Sequence, residues 1–234
     1  KFLNMKKLLL SFIVLMSFSL QLRADEGMWI PMLLQNNEQE MQEMGMNITV
    51  EDIYSINHSS MKDAVVLFGG GCTGEIVSDQ GLLLTNHHCG FDWIQYHSTV
   101  EHDYLTDGFW AMSMEEELPC PGLTAVMLKS MKDVTNFVLE GITKETSNEE
   151  RAKIINENIK KVKEEAEATT DYQVVIKPFY HGNKYYMIYN EVFKDVRMVG
   201  TPPSNIGKFG GDTDNWVWPR HTGDFSIFRI YVSP

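Results

Sequence analysis

Two β-rich runs follow one another closely in the chain, GGGCTGEIV at residues 69–77 and LLLTNHHC at residues 82–89. The four residues between them, SDQG at 78–81, are typical of a tight turn. Together they predict a β-hairpin, with Cys72 in its first arm and Cys89 at the end of its second arm. A β-rich fold is therefore the first expectation for this chain.

A histidine pair closes the second run of the hairpin and points to hydrolytic chemistry. Hydrolysis by a serine nucleophile needs a base that takes the hydroxyl proton and a carboxylate that fixes the imidazole tautomer. A histidine at a strand end, beside a local crosslink, suits the role of the base, and either His87 or His88 could fill it. Cys72 and Cys89 can form that crosslink, which leaves Cys120 alone or paired outside this chain.

The charge balance and the N-terminus limit the classes of partner and the compartment. The 20 basic and 32 acidic residues give a net charge of −12, which argues against nucleic acid as a partner. Residues 1–24 combine a short basic region, an apolar stretch and a small-residue site before Asp25, which predicts a signal peptide. We expect a periplasmic or secreted protein without stable membrane insertion after cleavage, and an uncleaved anchor is the alternative.

The rest of the chain has the pattern of a mostly β protein with one long inserted helix. That helix is predicted over residues 147–168, where Ser147 and Glu150 have capping-box spacing and apolar residues recur on one face. Residues 25–45 are helix-prone, Thr49 and Asp52 predict a short capped helix, and residues 91–104 predict a loop or short helices. Strands are predicted at residues 64–68, 72–77, 82–85, 123–129, 173–177, 184–189, 191–199 and 225–232. The sum predicts a small β-barrel.

The hairpin resembles the first hairpin of trypsin-like serine peptidases, in which Thr-x-x-His-Cys carries the catalytic histidine. The matching residues here are Thr85, His88 and Cys89, so the resemblance favours His88 as the base. His87 would then point to the opposite face of the strand end. The resemblance also implies that Asp224 is the orienting carboxylate, because it stands at the mouth of an apolar strand, where trypsin-like folds place theirs.

Three motifs restrict the resemblance to one family of serine peptidases. They are GCTG at residues 71–74, LTNHHCG at 84–90 and GGDTDNWVWPRHTGDFS at 210–226. Together they resemble serine peptidase family 46, the bacterial dipeptidyl-peptidases of the 7 and 11 group, over residues 25–234. The resemblance implies the first barrel of a chymotrypsin-like double β-barrel with a helical insertion. It also implies release of dipeptides from the free N-terminus of oligopeptides, with His88 as general base, Asp224 as its partner, and no cofactor or metal.

Within the third motif, the resemblance implies that Asn215 and Trp216 bind the N-terminal ammonium group of the substrate. The carboxamide oxygen of an asparagine can accept a hydrogen bond from an ammonium group. An indole face attracts a cation by about 0.5–2 kcal/mol, depending on desolvation. These residue types favour an exopeptidase over a trypsin-like endopeptidase, which is the alternative among enzymes.

The sequence contains no Gly-x-Ser-Gly motif that could carry the nucleophile of such an enzyme, and Ser226 falls inside the predicted last strand. We therefore expect residues 25–234 to be the N-terminal part of the peptidase domain, without the second barrel and inactive by itself. In the family the preference for the residue before the scissile bond depends on that second barrel. The resemblance also allows a homodimer.

Two other classes of protein compete with this prediction. A zinc site could form in and around the hairpin, although Cys-x2-Cys and His-x3-His spacings are absent from the sequence. Its candidate ligands would be Cys72, His87, His88, Cys89, His97 and His102. A noncatalytic interaction domain could keep the barrel and lose the catalytic activity. The joint presence of His88, Asp224, Asn215 and Trp216 argues against this class.

Overall fold

The computed structural model describes residues 29–207 and 222–232. The predicted signal peptide at residues 1–24 lies outside the described residues. The chain divides into two compact units, with the boundary between Met44 and Gly45. In the first unit, the helix-prone segment forms a 3-10 helix at Pro31–Asn36 and helix α1 at Glu38–Glu43.

The described part of the second unit contains ten strands, all joined by antiparallel pairing in one sheet. The strands are β1 (Val65–Phe68), β2 (Cys72–Ile76), β3 (Leu82–Thr85), β4 (Phe109–Trp110), β5 (Leu118–Pro119), β6 (Ala125–Asp133), β7 (Gln173–Phe179), β8 (Lys184–Phe193), β9 (Asp195–Thr201) and β10 (Ser226–Tyr231). Its helices are α2 (Val50–Ile53), α3 (His87–His97), α4 (Tyr104–Asp107), α5 (Thr135–Val138), α6 (Asn148–Glu167) and α7 (Ser204–Gly207). Short 3-10 helices occupy Met61–Ala64, Met114–Glu116 and Tyr180–Gly182.

Part of this sheet closes into a barrel. The strands pair in the order β1–β2–β3–β10–β9, and β9 also pairs with β5. The chain passes from β5 through residues 120–124 into β6, and β6 pairs with β1, so this chain connection brings the sheet back to its first strand. The buried side chains inside come from β1, β3, β6, β9 and β10, from helix α3, and from the segment between β5 and β6: Val66, Phe68, Leu83, Ile94, Cys120, Leu123, Ala125, Val196, Met198, Phe228 and Ile230. The predicted mostly β architecture with a barrel is confirmed.

A second core lies outside the barrel, where β6 and β8 extend beyond it and are joined by β7. Helix α6 packs one face against this extension, using Ile155, Ile159, Val162 and Ala166. Its start is fixed by the Ser147 hydroxyl, which accepts a hydrogen bond from the Glu150 N–H. The predicted helical insertion is therefore confirmed. The helix shares this core with β7 and with the part of β8 that extends beyond the barrel.

Most predicted elements appear with small shifts of their ends. The strand predicted at residues 82–85 has those bounds, and the Thr49–Asp52 capping box starts α2. The strand predicted at 123–129 is shifted and longer, Ala125–Asp133, because its outer half pairs with β8 beyond the barrel. Within the described residues, no helix is long and apolar enough to span a membrane.

One expectation about the hairpin is wrong. His88 does not end a strand, because β3 stops at Thr85 and α3 begins at His87. Asn86 has the extended backbone of an N-cap residue. Residues 91–104, predicted as a loop or short helices, are helical as far as His97 and again from Tyr104. His87 likewise does not occupy the opposite face of a strand end; its side chain is buried in the first turn of α3.

The pairing of β3 with β10 decides which residues meet at the end of the barrel. Thr85 pairs with Ser226 and Leu83 with Phe228. In an antiparallel pair, residues that follow one strand lie beside residues that precede the other. The segment after Thr85, which contains His88, therefore lies beside the segment before Ser226, which contains Asp224.

Two leucines of the barrel strands provide a matched test of this packing. Leu83 is fully buried, whereas Leu67 is 46% exposed. Leu83→Ala should lower the free energy of unfolding by about 2–5 kcal/mol, because it leaves a cavity in the core. Leu67→Ala should cost less than about 1 kcal/mol. Urea unfolding of the two variants measures both values, and equal losses would contradict this placement of the core.

Candidate active site

His88 and Asp224, 136 residues apart in the sequence, lie in contact at one end of the barrel. His88 Nδ1 is 2.9 Å from Asp224 Oδ2, and the His88 backbone N–H donates to Asp224 Oδ1 over 3.2 Å. The two carboxylate oxygens therefore meet the backbone and the side chain of the same histidine. This arrangement leaves the imidazole little freedom to rotate.

The start of helix α3 explains why a carboxylate suits this place. The first N–H groups of a helix lack partners within the helix, and the N-terminal end carries a partial positive charge. Asp224 accepts one of these N–H groups from His88, the second residue of α3. The helix end and the imidazole thus each place a nitrogen within hydrogen-bonding distance of the carboxylate.

The His88 side chain is more exposed to solvent than the Asp224 side chain, as expected for a base that must reach a substrate. The Asp224 side chain is 9% exposed, whereas that of His88 is 35% exposed. When Nδ1–H donates to the carboxylate, Nε2 is the basic nitrogen of the ring. The pair can therefore hold a base at the surface, oriented by a carboxylate beneath it.

His87, the other histidine that the sequence left open, occupies a different environment. Its side chain is fully buried. The ring packs directly on Gly207 of α7, where an added methyl group would overlap it, and its centroid lies 6.3 Å from that of Phe91. A base must reach its substrate, so the structure favours His88 for that role.

Two residues for which the sequence predicts no role in the site, Asn86 and Ser226, also contribute to it. The Asn86 amide donates to Asp224 Oδ2 over 3.2 Å and to the Asp224 backbone oxygen over 3.1 Å. The buried Ser226 hydroxyl donates to the Asn86 backbone oxygen over 2.8 Å. The sequence signal that could have indicated Asn86 is its place between a strand and a helical stretch, because asparagine is a favoured N-cap residue.

A disulfide joins Cys72 of β2 to Cys89 in the first turn of α3, next to His88. It connects the helix that carries His88 to the first arm of the hairpin. Cys72, His88 and Cys89 also form a cluster of potential metal ligands within the described residues. Because the two sulfur atoms are bonded to each other, they are not available as the thiolates that a zinc site needs.

The other histidines considered as zinc ligands lie outside that cluster. His97 Nε2 is 3.0 Å from the Pro119 carbonyl oxygen, and burial lowers the pKa of its imidazole. His102 is exposed and stacks on Tyr104, with 6.1 Å between the ring centroids. The predicted ammonium-binding residues Asn215 and Trp216 lie outside the described residues.

A comparison with protein families gives one match over nearly the whole chain. The family model described as Peptidase S46 matches residues 24–234. This range contains the hairpin and the segment with Asp224.

Relatives with high sequence identity carry two names. The chain is 56% identical, over 221 residues, to an Asp/Glu-specific dipeptidyl-peptidase of Flavobacterium psychrophilum, covering 94% of this chain and 31% of that protein. It is 52% identical to a dipeptidyl-peptidase 7 of Phocaeicola vulgatus, covering 97% of this chain and 33% of that protein. The chain thus spans about a third of the length of the curated relatives it matches.

Solved structures agree with the sequence comparison. The crystal structure of Porphyromonas endodontalis DPP11 in complex with the dipeptide Arg-Glu matches with a TM-score of 0.76 and 51% sequence identity. The match covers 89% of this chain and 31% of that one. The same protein in complex with substrate matches with a TM-score of 0.75.

The cysteines give a direct test of this region. Cys120 is buried, and burial raises the pKa of its thiol to about 12, so at about pH 8 the thiol stays protonated and unreactive. We expect no iodoacetamide label on the native chain, one on the unfolded unreduced chain and three after reduction. Intact-protein mass spectrometry counts the labels. Labelling of Cys72 or Cys89 before reduction would contradict the disulfide, and labelling that depends on a chelator would support zinc.

Proposed function

Because the chain belongs to the peptidase S46 family, we propose that it supplies the histidine and the aspartate of a serine-type dipeptidyl-peptidase. The reaction is the release of dipeptides from the free N-terminus of oligopeptides. The observation that carries the proposal is the 2.9 Å contact between His88 Nδ1 and Asp224 Oδ2, with the imidazole at the surface and the carboxylate beneath it.

The roles of the two residues follow from this geometry. His88 Nε2 takes the proton of the serine hydroxyl as the oxygen attacks the peptide carbonyl carbon, and later returns it to the leaving amine. Asp224 keeps the proton on Nδ1 and stabilises the imidazolium ion that forms between these two steps. Both residues need to stay in place while the charge develops, and the contacts to both carboxylate oxygens support that.

The serine that His88 activates is proposed to belong to a longer protein, of the length of the relatives. The matched part is about a third of those relatives, and the 234 residues contain no Gly-x-Ser-Gly motif. Oligopeptides are the proposed substrates, and a homodimer is the proposed assembly of the whole protein.

The segment between α7 and β10 is proposed to bind the substrate N-terminus. Asn215 and Trp216 would hold the ammonium group, one through its carboxamide oxygen and the other through its indole face. Recognition of a free N-terminus would make the enzyme an exopeptidase, and release of dipeptides is proposed because the family relatives are dipeptidyl-peptidases.

Export through a signal peptide at residues 1–24 is proposed to deliver the protein to the periplasm or outside the cell. The basic start and the apolar stretch support this. A disulfide between Cys72 and Cys89 suits the same compartments, because disulfides persist in oxidising environments.

The role of His88 can be tested in an active context. We define the grafted enzyme as the Flavobacterium psychrophilum relative in which residues 25–234 of this chain replace the matching residues. His88→Ala should lower its kcat by about 1,000-fold or more, because the serine loses its base. Release of dipeptides from peptides with an acidic or an apolar second residue measures the rate. The control His102→Ala removes an exposed histidine and should leave the rate unchanged; equal losses in both variants would contradict the assignment.

The ammonium site separates an exopeptidase from an endopeptidase. Acetylation of the peptide N-terminus removes the charge that Asn215 and Trp216 are proposed to bind. We expect kcat/KM of the grafted enzyme to fall by about tenfold or more, since each interaction with the cation is worth about 1 kcal/mol or more. Matched free and acetylated peptides, followed by mass spectrometry, give the ratio. Cleavage of acetylated peptides at the same rate would favour a trypsin-like endopeptidase.

A further inference from the structure

We propose that Asn86 is a positioning residue for the His88–Asp224 pair. Its side-chain amide holds the Asp224 carboxylate in the orientation in which that carboxylate accepts the His88 Nδ1–H. This inference rests on the proposed function, because it matters for catalysis only if His88 is the base. It is carried by contacts that join the start of α3 to the start of β10.

The contacts of Asn86 converge on the oxygen that orients the imidazole. Asn86 Nδ2 lies 3.2 Å from Asp224 Oδ2, the same atom that lies 2.9 Å from His88 Nδ1. A second contact, of 3.1 Å, joins Asn86 Nδ2 to the Asp224 backbone oxygen. The asparagine thus binds both the backbone and the carboxylate of Asp224, which limits rotation of the aspartate side chain.

The side chain of Asn86 is not used to cap its own helix. Asn86 is the N-cap residue of α3, yet it makes no side-chain capping hydrogen bond. An N-cap side chain ordinarily accepts from an N–H of the first helical turn. Here Asp224 accepts an N–H of that turn from His88, and Asn86 donates to Asp224. The residue type favoured at an N-cap is thereby directed toward the aspartate.

Asn86 is itself held by the barrel. Its backbone oxygen accepts the hydroxyl of Ser226, the first residue of β10, over 2.8 Å. Gly90, in the first turns of α3, packs so closely on Ser226 and Phe228 that an added Cβ would lie 2.7 Å from the Ser226 hydroxyl oxygen. The helix start and the strand start are therefore joined in both directions: Ser226 donates to Asn86, and Asn86 donates to Asp224.

An amide donor is well matched to this position. A hydrogen bond from an uncharged donor to an ionised carboxylate is stronger than one between neutral groups. It also adds no positive charge that would compete with the imidazolium ion for the carboxylate. The amide can therefore fix the direction of the carboxylate while the charge partner of Asp224 remains His88.

Two substitutions separate positioning from helix capping. Asn86→Ala removes the donor. Asn86→Asp keeps a residue that ranks with asparagine at N-caps, but places a second carboxylate beside Asp224 and offers no amide N–H. If Asn86 mattered only to the helix start, Asn86→Ala would lower the melting temperature and leave the contact between His88 and Asp224 unchanged. The matched control is Asn183→Ala, which removes an exposed asparagine whose amide donates to the Tyr180 carbonyl oxygen.

The first measurement uses the 234-residue chain and requires no catalytic activity. In ¹⁵N-labelled protein, the Nδ1 proton of His88 should give a downfield resonance because it is hydrogen-bonded to a carboxylate. His88→Ala and Asp224→Ala assign the signal by removing it. We expect the resonance to disappear or to shift upfield in Asn86→Ala and Asn86→Asp, and to stay in place in Asn183→Ala. Melting temperatures should stay within about 4 °C of the native chain, which shows that the fold is kept.

The second measurement uses the grafted enzyme. Both Asn86 variants should lower kcat by about tenfold to a hundredfold, because a displaced carboxylate leaves the base misaligned. KM should change by no more than about twofold, since Asn86 is proposed to act on the base and not on substrate binding. Asn183→Ala should change neither value.

An unchanged Nδ1 resonance in both variants would overturn the proposal, and so would an unchanged kcat. If Asn86→Ala does not fold, Asn86→Asp decides by the same two measurements. If the native grafted enzyme releases no dipeptides, the proposed function fails, but the resonance still shows whether Asn86 positions the pair. The two failures can therefore be told apart.

Discussion

The antiparallel pairing of β3 with β10 is the constraint on which the site depends. It sets Thr85 opposite Ser226, and so brings the residues after the hairpin next to the residues before the last strand. A slip of one residue in this register would exchange the buried and outward faces of β10 and move Asp224 away from His88. The catalytic proposal, the capping of α3 by Asp224 and the role of Asn86 all follow from this single register.

Contacts at the other end of β10 help to keep that register. The Arg229 guanidinium donates to Glu117, just before β5, over 2.8 Å, and the Tyr231 hydroxyl donates to the same carboxylate over 2.8 Å. The Glu117 side chain is almost fully buried and that of Arg229 is 13% exposed, so removing either partner would leave a poorly solvated charge. The strand is thus held by a buried ion pair at one end and by hydrogen bonds to the start of α3 at the other. An aspartate that must stay within 3 Å of an imidazole benefits from a strand fixed at both ends.

The disulfide and the helix start act on the histidine in a similar way. Cys89 follows His88 directly, so its bond to Cys72 restrains the same turn of α3 that Asp224 caps. His88 is therefore restrained through its backbone as well as through its ring. Such preorganisation would lower the cost of aligning His88 in its proposed role as a base. His87 occupies the same turn, but its side chain is buried against Gly207, whereas the His88 side chain is partly exposed.

Much of the local structure was determined by the sequence itself. The bounds of β3, the capped start of α6 and the Thr49–Asp52 capping box follow from propensity and neighbouring hydrogen bonds, which act over a few residues. The sequence also indicates His88 and Asp224, through a resemblance carried by short motifs. Tertiary structure alone decided that α3 begins at His87, that residues 118–127 close the barrel, and that Asn86 turns toward Asp224 and not toward its own helix. The physical reason is that these outcomes depend on strand register and on partners that are distant in the sequence, about which local propensity carries no information.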